Sequence, residues 1–559
     1  MPTIEILLDD LESLLGVSLP QDENSLTEVL SYVKGEVEAI DGNNLVVELK
    51  DGNRPDLWCV EGIARALRGI LGVELGLKKY EVEGYSGVDV YVDPKLRKIR
   101  PYIGCSVVKG VKLTSEVIRE LMHFQDKLDQ TYGRKRQKAS IGMYRLGLIS
   151  PPIHYKAAKP DEYQFIPLGG EEPMSLREIL RRHSKGIEYG HIVSRHRLWP
   201  ILVDDANNVL SFPPIINSAD LGKITEGEQD IFVEVTGVNP KTVLNTVTLV
   251  TLSLADRGEA IQSVHVNYPN QEVQETPMLQ SRSLLLRANE VSRILGMNLE
   301  AACVVELLHR ARYGAVNRLC GIEVEIPCYR IDIMHSLDVV EDVIIAYGFN
   351  NIPPLWPKIP TKGGITRLEE LSNVIREIMV GLQFQEILTF SLSNLENQGT
   401  KMGLRALEVV ELANPRSTRF TCVRSWLLPS ILEFLANNKH ASFPQKVFEV
   451  GDCVVLDISD PNSVREIRKL AAAVSHPTAN FSELKSLAES IFRSLGLSLA
   501  FKEHEHLSFI PGRVGSIMSD GRNVGIIGEL SPTVLDNWSI TNPVAALEVD
   551  LYTLFSQLL

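Results

Sequence analysis

The chain has 559 residues, enough for about three to five domains at roughly 100–200 residues each. Apolar residues make up 44% and charged residues 23%, the proportions of a folded globular chain, which excludes a disordered tail, a collagen-like rod and a disulfide-stapled miniprotein. Lys and Arg number 57 against 71 Asp and Glu, for a formal charge of −14, so a wholly basic nucleic-acid coat is excluded and any nucleic-acid contact must come from local patches or a partner chain.

The opening Met1 to Asp10 is acidic and has no positive region ahead of an apolar one, unlike a signal peptide. Thr242 to Ala255, the longest weakly charged stretch, is too short and too rich in Thr and Ser to span a bilayer. The cysteines number 7 and include no Cys-x-x-Cys pair, so neither a disulfide framework nor a cysteine zinc site is indicated. A cytoplasmic protein with no membrane partner is expected.

In chain order, residues 1–85 alternate short strands and helices: a strand at Asn44–Lys50, a turn at Asp51–Asp56, and a helix from about Leu57 carrying Val60, Ile63, Ala64 and Leu67 at helical spacing. Residues 86–270 form a long mixed region. It holds the period-two string Val88–Val92, a helix around Glu116–Gln130 and a strand at Ile231–Val235. Ser211-Phe-Pro-Pro-Ile-Ile-Asn217 cannot lie inside a central strand and is expected as a loop or edge. A linker, Asn267–Pro277, precedes a compact block at 278–352, and Pro353, Pro354, Pro357 and Pro360 mark a second boundary. The final stretch, 358–559, opens on the capping string Thr366-x-x-Glu369 and a helical stripe of Leu368, Leu371, Ile375, Ile378 and Met379. Strands are expected at Glu386–Leu392, Lys446–Val450, Val514–Met518 and Asn523–Ile527. The fold class is α+β and multidomain, with at least four units.

No dinucleotide-binding glycine string, Walker loop, His-Glu-x-x-His or nucleophile elbow is present. His504-Glu-His506 reads as solvated surface. Phe492-Arg493 resembles the start of a phosphate-gripping Phe-Arg-x-Glu string, but Leu495 stands where the carboxylate belongs. No self-sufficient ATP site is indicated.

The sharpest constellation is acidic. Val339, Val340, Val343, Ile344 and Tyr347 make an amphipathic helix closed by Gly348, and Asp338, Glu341 and Asp342 stand at i, i+3, i+4 on it. Asp332 ends the preceding strand and can fold back to the same place. Four hard oxygen ligands without His or Cys suit Mg²⁺; the same Asp338-x-x-Glu341 spacing also serves a capping box.

Several strings in order along essentially the full chain resemble those of phenylalanine–tRNA ligase β subunits of the archaeal and eukaryotic type. They are Asn53-Arg-Pro-Asp-Leu-Trp-Cys-Val-Glu-Gly-Ile-Ala-Arg65, Ser211–Asn217, Asp332–Pro353, Leu412-Ala-Asn-Pro415, Arg424-Ser-Trp-Leu-Leu-Pro429, Phe448-Glu-Val-Gly451, Phe509-Ile-Pro-Gly-Arg513 and Gly525-Ile-Ile-Gly-Glu-Leu530. The resemblance implies an (αβ)₂ enzyme that charges tRNA(Phe) using ATP and Mg²⁺. The α subunit would bind ATP and carry the synthetic active site, leaving no catalytic aminoacylation residue in this chain. It implies a small N-terminal unit at 1–85, a tRNA-editing-like domain at 86–270, a helix-turn-helix-like block at 278–352 with no DNA expected, and a class II synthetase-like antiparallel sheet domain at 358–559. Asp332, Asp338, Glu341 and Asp342 match the family's Mg²⁺ positions residue by residue. Arg424–Leu435 fits an ordinary core helix and an α-contacting helix equally.

The editing-like region would hydrolyse tRNA(Phe) mischarged with tyrosine, because an apolar pocket rejects an added hydroxyl only about 10²-fold. Asn217, Ser218, Glu234 and Thr236 are expected to line that pocket, with Glu234 accepting the phenol proton; a solvated place on an alternating strand is the competing role for Glu234. The chain departs from the family at Asp129, where His is usual, and at Tyr144-Arg145, where His-Asp is common. Those changes predict weakened or altered proofreading. The basic run Arg134, Lys135, Arg136 and Lys138, beside Tyr132, is a candidate tRNA contact. Two other readings stay open: a stand-alone trans-editing or tRNA-binding module, and a Mg²⁺-stapled scaffold without chemistry.

Overall fold

A computed structural model describes residues 2–269, 272–358 and 362–556. The chain is mixed α and β, and it divides into two compact units, the first ending at Trp356 and the second beginning at Pro357. Pro360 and the Asn270–Gln271 part of the expected linker lie outside the described residues.

In the first unit, strands Thr3–Leu7, Asn44–Leu49 and Gly35–Asp41 form a small antiparallel sheet with Asn44–Leu49 in the middle. Asn44–Leu49 buries alternate residues, as its period-two pattern requires. The following Asn53–Arg65 string is a packing device. Arg54 grips Asp56 with two hydrogen bonds of 3.0 and 2.7 Å, Pro55 opens a short 3₁₀ turn, and the helix Val60–Ile70 starts three residues later than the spacing predicts. Gly62 lies so close to this turn that a Cβ would fall 1.6 Å from the Asp56 carbonyl oxygen. Any side chain there would drive the helix off the turn.

The large sheet of this unit runs Ile216–Asn217, Val209–Phe212, Trp199–Asp204, Ile153–Ala158, Val82–Val92, Ala260–Asn267, Tyr102–Lys109, Ile231–Gly237, Ala139–Arg145. Val82–Val92 pairs in parallel with both of its neighbours and the other pairs are antiparallel. The Pro-rich string turns at the sheet edge, between Val209–Phe212 and Ile216–Asn217, where missing N–H donors cost no ladder bonds. Against the sheet lies the helix Pro240–Ala255, capped by Asn239 through Thr242 N at 2.9 Å. Its residues Thr242, Thr246, Thr248 and Thr251 are buried. Thr246 and Thr251 donate to carbonyls four residues back at 2.7 and 2.6 Å, which is how a Thr-rich helix satisfies its hydroxyls inside a core.

The expected linker differs from the structure. Val273–Thr276 is a strand antiparallel to Ala260–Asn267, and the buried Thr276 hydroxyl donates to the Cys105 carbonyl at 2.7 Å. Beyond it, strands Arg282–Leu286, Gly321–Ile326 and Gly314–Arg318 form a three-stranded sheet that shares a core with helices Ala288–Leu295, Ala301–Arg310 and Ser336–Tyr347.

The second unit is a seven-stranded sheet in the order Gln385–Glu386, Gln445–Leu456, Val464–Ser475, Val544–Asp550, Arg522–Leu530, Phe509–Ser519, Ala500–Glu503. Alternation sets its two faces. Phe448, Val450, Leu470 and Ala472 meet helices Arg367–Gly381 and Phe481–Ser494, whereas Val447, Ala471 and Ala473 meet the helix Leu428–Asn437. Thr366 caps the Arg367–Gly381 helix through Glu369 N at 3.3 Å, while the Glu369 side chain binds Arg376 and Arg468. The expected strand at Glu386–Leu392 shrinks to two-residue pieces, Gln385–Glu386 and Leu392–Ser393.

Buried charge ties the first unit together. Arg257, just past the Pro240–Ala255 helix, is nearly enclosed and binds Asp10 Oδ2 at 2.6 Å, Glu120 Oε2 at 3.2 Å and Glu61. Three helices are thereby fastened to one guanidinium. Arg257→Met leaves these carboxylates uncompensated, with an expected loss of about 3–5 kcal/mol measured by chemical denaturation.

Candidate functional site

Glu234 lies in the centre of the strand Ile231–Gly237, opposite Gly142 on one side and Cys105 on the other. It is only 2% exposed, so the solvated-strand role is excluded. Its Oε1 accepts from the Tyr144 hydroxyl at 3.1 Å and from Ser211 at 3.4 Å, while Oε2 is buried without a hydrogen-bond partner among the described residues. Burial pushes the Glu234 pKa up to about 7, against the opposing hydrogen bond from Tyr144 and the charge of Arg100.

Thr236, two residues on, faces the same way and is fully buried. Arg100 spans this ground: Nε donates to Thr236 Oγ1 at 2.9 Å, and Nη2 donates to Ser140 Oγ at 3.0 Å and to the Thr236 carbonyl at 2.6 Å. Asn217 joins the group through Oδ1, which accepts from Tyr144 at 3.3 Å. Ser218 does not: its hydroxyl accepts from Leu221 N at 3.3 Å and closes a local turn. Sequence reasoning missed Arg100, Ser140 and Ser211. Only Ser211 carried a local signal, as a neighbour of the Pro-Pro turn; the others reach the site across the sheet.

The basic run splits. Arg134, Lys135 and Arg136 all adopt left-handed backbone, with φ of 49°, 51° and 62°. This turn carries Arg136, expected with its neighbours as a tRNA contact, inward to partners within the chain. Arg136 Nε lies 3.0 Å from Asp129 Oδ2, Nη1 donates to the Ile215 carbonyl at 2.9 Å, and the guanidinium covers the Tyr189 ring at 4.5 Å. The cause is Asp129, which is 1% exposed and needs a counter-cation. Burial still holds the Asp129 pKa up at about 7. Arg134 and Lys135 remain exposed, and Arg134 and Lys138 line a cavity of about 290 Å³ with Arg100, His191 and Arg195. Four cationic side chains at one hollow suit an anion.

The four carboxylates expected to converge are divided by the structure. Arg330 binds Asp332 with bonds of 3.0 and 2.8 Å and Asp342 at 2.6 Å, and Tyr313 also donates to Asp342. Asp338 caps its own helix through Met334 N and His335 N, at 2.7 and 2.8 Å. Glu341 is exposed and pairs with Lys34 at 2.5 Å. The physical reason is that Asp342 stands three residues from Val339 and so turns toward the core, where it requires a cation. Mg²⁺ takes one or two carboxylates and keeps several waters. Asp338 and Glu341, on the outer side, could offer that donor chemistry only if Glu341 gave up Lys34, while Asp332 and Asp342 are held by the buried Arg330. Among the described residues, the carboxylates that gather closely are instead Glu36, Glu38 and Glu48.

In the second unit, cations and carboxylates compensate one another. Arg424 Nη1 lies 2.8 Å from Glu449 Oε1. Glu548 takes Lys469 at 2.8 Å and accepts Leu427 N and Leu428 N at the start of the Leu428–Asn437 helix. That helix buries Leu428, Ile431, Leu432 and Leu435 in the core. His506 packs on Trp426 and Phe509, and burial lowers its pKa. Leu388 and Phe390 stand exposed at 90% and 74%, with Phe390 edge-on to Phe420. Among the described residues, no helix is long and apolar enough to cross a membrane.

The two parts carrying these features match known families. Residues 284–349, which hold the Arg330 cluster, match the tRNA synthetase B5 domain, and residues 352–551 match the phenylalanyl tRNA synthetase beta chain CLM domain. These matches define the class, a subunit of an aminoacyl-tRNA ligase. The phenylalanine–tRNA ligase beta subunit of Thermococcus onnurineus is 41% identical over all of both chains, and that of Pyrococcus furiosus is 42% identical over 99% of this chain and 100% of its own. The crystal structure of an N-terminal fragment of the phenylalanyl-tRNA synthetase beta-subunit from Pyrococcus horikoshii is 38% identical, with a TM-score of 0.60, covering 62% of this chain and the whole fragment. The chain belongs to the phenylalanine–tRNA ligase beta subunit family.

Glu234 gives this region a pH signature. Its folded pKa of about 7 lies above the ordinary 4.5, so the folded chain keeps a proton that the unfolded chain has released. Stability from this group is full below about pH 4.5 and falls as pH rises through about 7. The denaturation midpoint is therefore expected to be higher near pH 5.5 than near pH 8, and Glu234→Gln is expected to narrow that difference. Asp129 and Glu120, also raised to about 7, retain the remainder.

Proposed function

We propose that this chain works with an α subunit, in an (αβ)₂ assembly, to join L-phenylalanine to tRNA(Phe) at the expense of ATP, with ATP and the synthetic active site on α. The observation that carries this reading is the identity of about two residues in five with named beta subunits along their full length. In the finer division, residues 1–85 form an N-terminal unit, 86–270 an editing-like domain, 278–352 a helix-turn-helix-like block and 358–559 a class II-like domain that pairs with α. Two features support the pairing role: the exposed apolar edge around Leu388 and Phe390, and the use of Arg424 and Lys469 in internal ion pairs rather than toward a ligand. Exposed apolar clusters of this kind mark protein contacts.

The Glu234 region is proposed to act on tRNA(Phe) mischarged with tyrosine. A buried carboxylate oxygen without a partner is an acceptor for a phenol hydroxyl, and Arg100, Thr236 and Ser140 hold the strand that presents it. The cavity lined by Arg134, Lys138 and Arg195 supports tRNA contact through backbone phosphates, a sequence-independent attraction that weakens with salt. These local cations let an acidic chain meet RNA.

Mg²⁺ would be held by Asp338 and Glu341, with Arg330 fixing Asp332 and Asp342 behind them; when bound it would neutralise the acidic outer face of the Ser336–Tyr347 helix. In the α complex, Asp338→Ala with Glu341→Ala is expected to lower bound magnesium, measured by elemental analysis, and unchanged metal content sinks the assignment.

Co-expression with α followed by Phe-dependent ATP–pyrophosphate exchange and Tyr-tRNA(Phe) deacylation tests the main reading. Exchange in the mixture and in neither chain alone is expected, with slow deacylation. A chain that ignores α and stays monomeric overturns it in favour of a stand-alone module.

A further inference from the structure

Tyr144 is fully enclosed and lies against Glu234. Its ring belongs to the buried apolar cluster that also holds Leu202, Leu210 and Leu221, with the Phe232 ring centre 6.0 Å away. Its hydroxyl points at two acceptors, Glu234 Oε1 at 3.1 Å and Asn217 Oδ1 at 3.3 Å. Beneath it lies Gly142, where a Cβ would come within 2.3 Å of the Tyr144 hydroxyl and 2.7 Å of Glu234 Oε1. The absence of a side chain at Gly142 is thus what lets a phenol oxygen rest on this strand and reach the carboxylate. Ser211 already donates to the same Oε1 at 3.4 Å, and the partnerless Oε2 is sealed from solvent, so neither oxygen is open to an incoming phenol while Tyr144 stays in place. The neighbouring Arg145 holds the strand end outside, donating to the Asp220 carbonyl at 2.7 Å.

We infer that Tyr144 is the pocket's own phenol: it occupies the ground that the phenol of a tyrosyl group would need on Glu234, and so excludes tyrosyl groups from it. This rests on the reading of the Glu234 region as an editing site, and it identifies Tyr144 as the residue that sets that site's specificity. A free tyrosyl group must displace a phenol tethered to the chain. The tethered one loses no translational freedom on binding, so it wins at ordinary ligand concentrations.

The inference separates cleanly from activity. In the complex with α, L-tyrosine and p-cresol binding are measured by calorimetry, and Tyr-tRNA(Phe) hydrolysis is measured alongside. Tyr144→Ala is expected to bind both phenols about tenfold tighter or more than the unaltered chain, the worth of one buried hydrogen bond. Adding Glu234→Gln should remove that gain. Tyr144→Phe keeps the ring and is expected to stay closed. Tyr144→His, smaller and polar, replaces the alanine variant if the latter does not fold. Equal phenol binding by the unaltered chain and the opened variants overturns the inference, whatever the hydrolysis rates. An opened variant that binds phenol and hydrolyses nothing supports the inference while ending the editing reading. A parallel rise in hydrolysis supports both.

Discussion

A carboxylate cannot be taken out of water without a cation, a set of hydrogen-bond donors or a proton, and this chain uses all three answers. Arg257 gathers Asp10, Glu61 and Glu120; Arg330 gathers Asp332 and Asp342; Arg424 takes Glu449. Glu548 combines Lys469 with two backbone N–H groups at a helix start, where the helix dipole adds to the attraction. Among the described residues Glu234 receives no cation within bonding distance, and it keeps its proton near neutral pH instead. Helix positions, strand ends and the candidate site all follow from how these carboxylates are settled.

The same constraint explains what could be read from the sequence. Elements governed by local pattern were legible: the helix at Ser115–Gln130, the strands Ile231–Gly237 and Gln445–Leu456, the edge position of the Pro-Pro turn, and the Thr366 cap. Glu234, Thr236 and Asn217 were legible as neighbours through the resemblance, and the register places them together. Contacts that cross the sheet were not. Arg100 stands 136 positions from Thr236, and nothing in its own neighbourhood marks it as a partner of that threonine. The acidic cluster misled for a related reason. Spacing shows which carboxylates can share a side of a helix; it does not show that a neighbouring Arg330 claims two of them. Short strands also escaped, because Val273–Thr276 shows its role only once Ala260–Asn267 is beside it.

Family membership and side-chain geometry answer different questions here. Membership fixes the kind of enzyme to which the chain contributes. Geometry speaks to how this particular chain builds the candidate site: an enclosed carboxyl, a glycine that admits an oxygen, and a tyrosine laid across both.

The turn at Arg134, Lys135 and Arg136 carries one more consequence. Left-handed backbone is ordinarily given to glycine or asparagine, and each other residue there costs about 1–2 kcal/mol. Variants selected for heat resistance alone would therefore drift toward glycine at the exposed Arg134 and Lys135 and shed positive charge, while Arg136 would be kept for Asp129; the proposed contact with RNA would hold the two outer cations in place. Two pressures pull Arg134 and Lys135 in opposite directions, and their identity in any descendant records which of them prevailed.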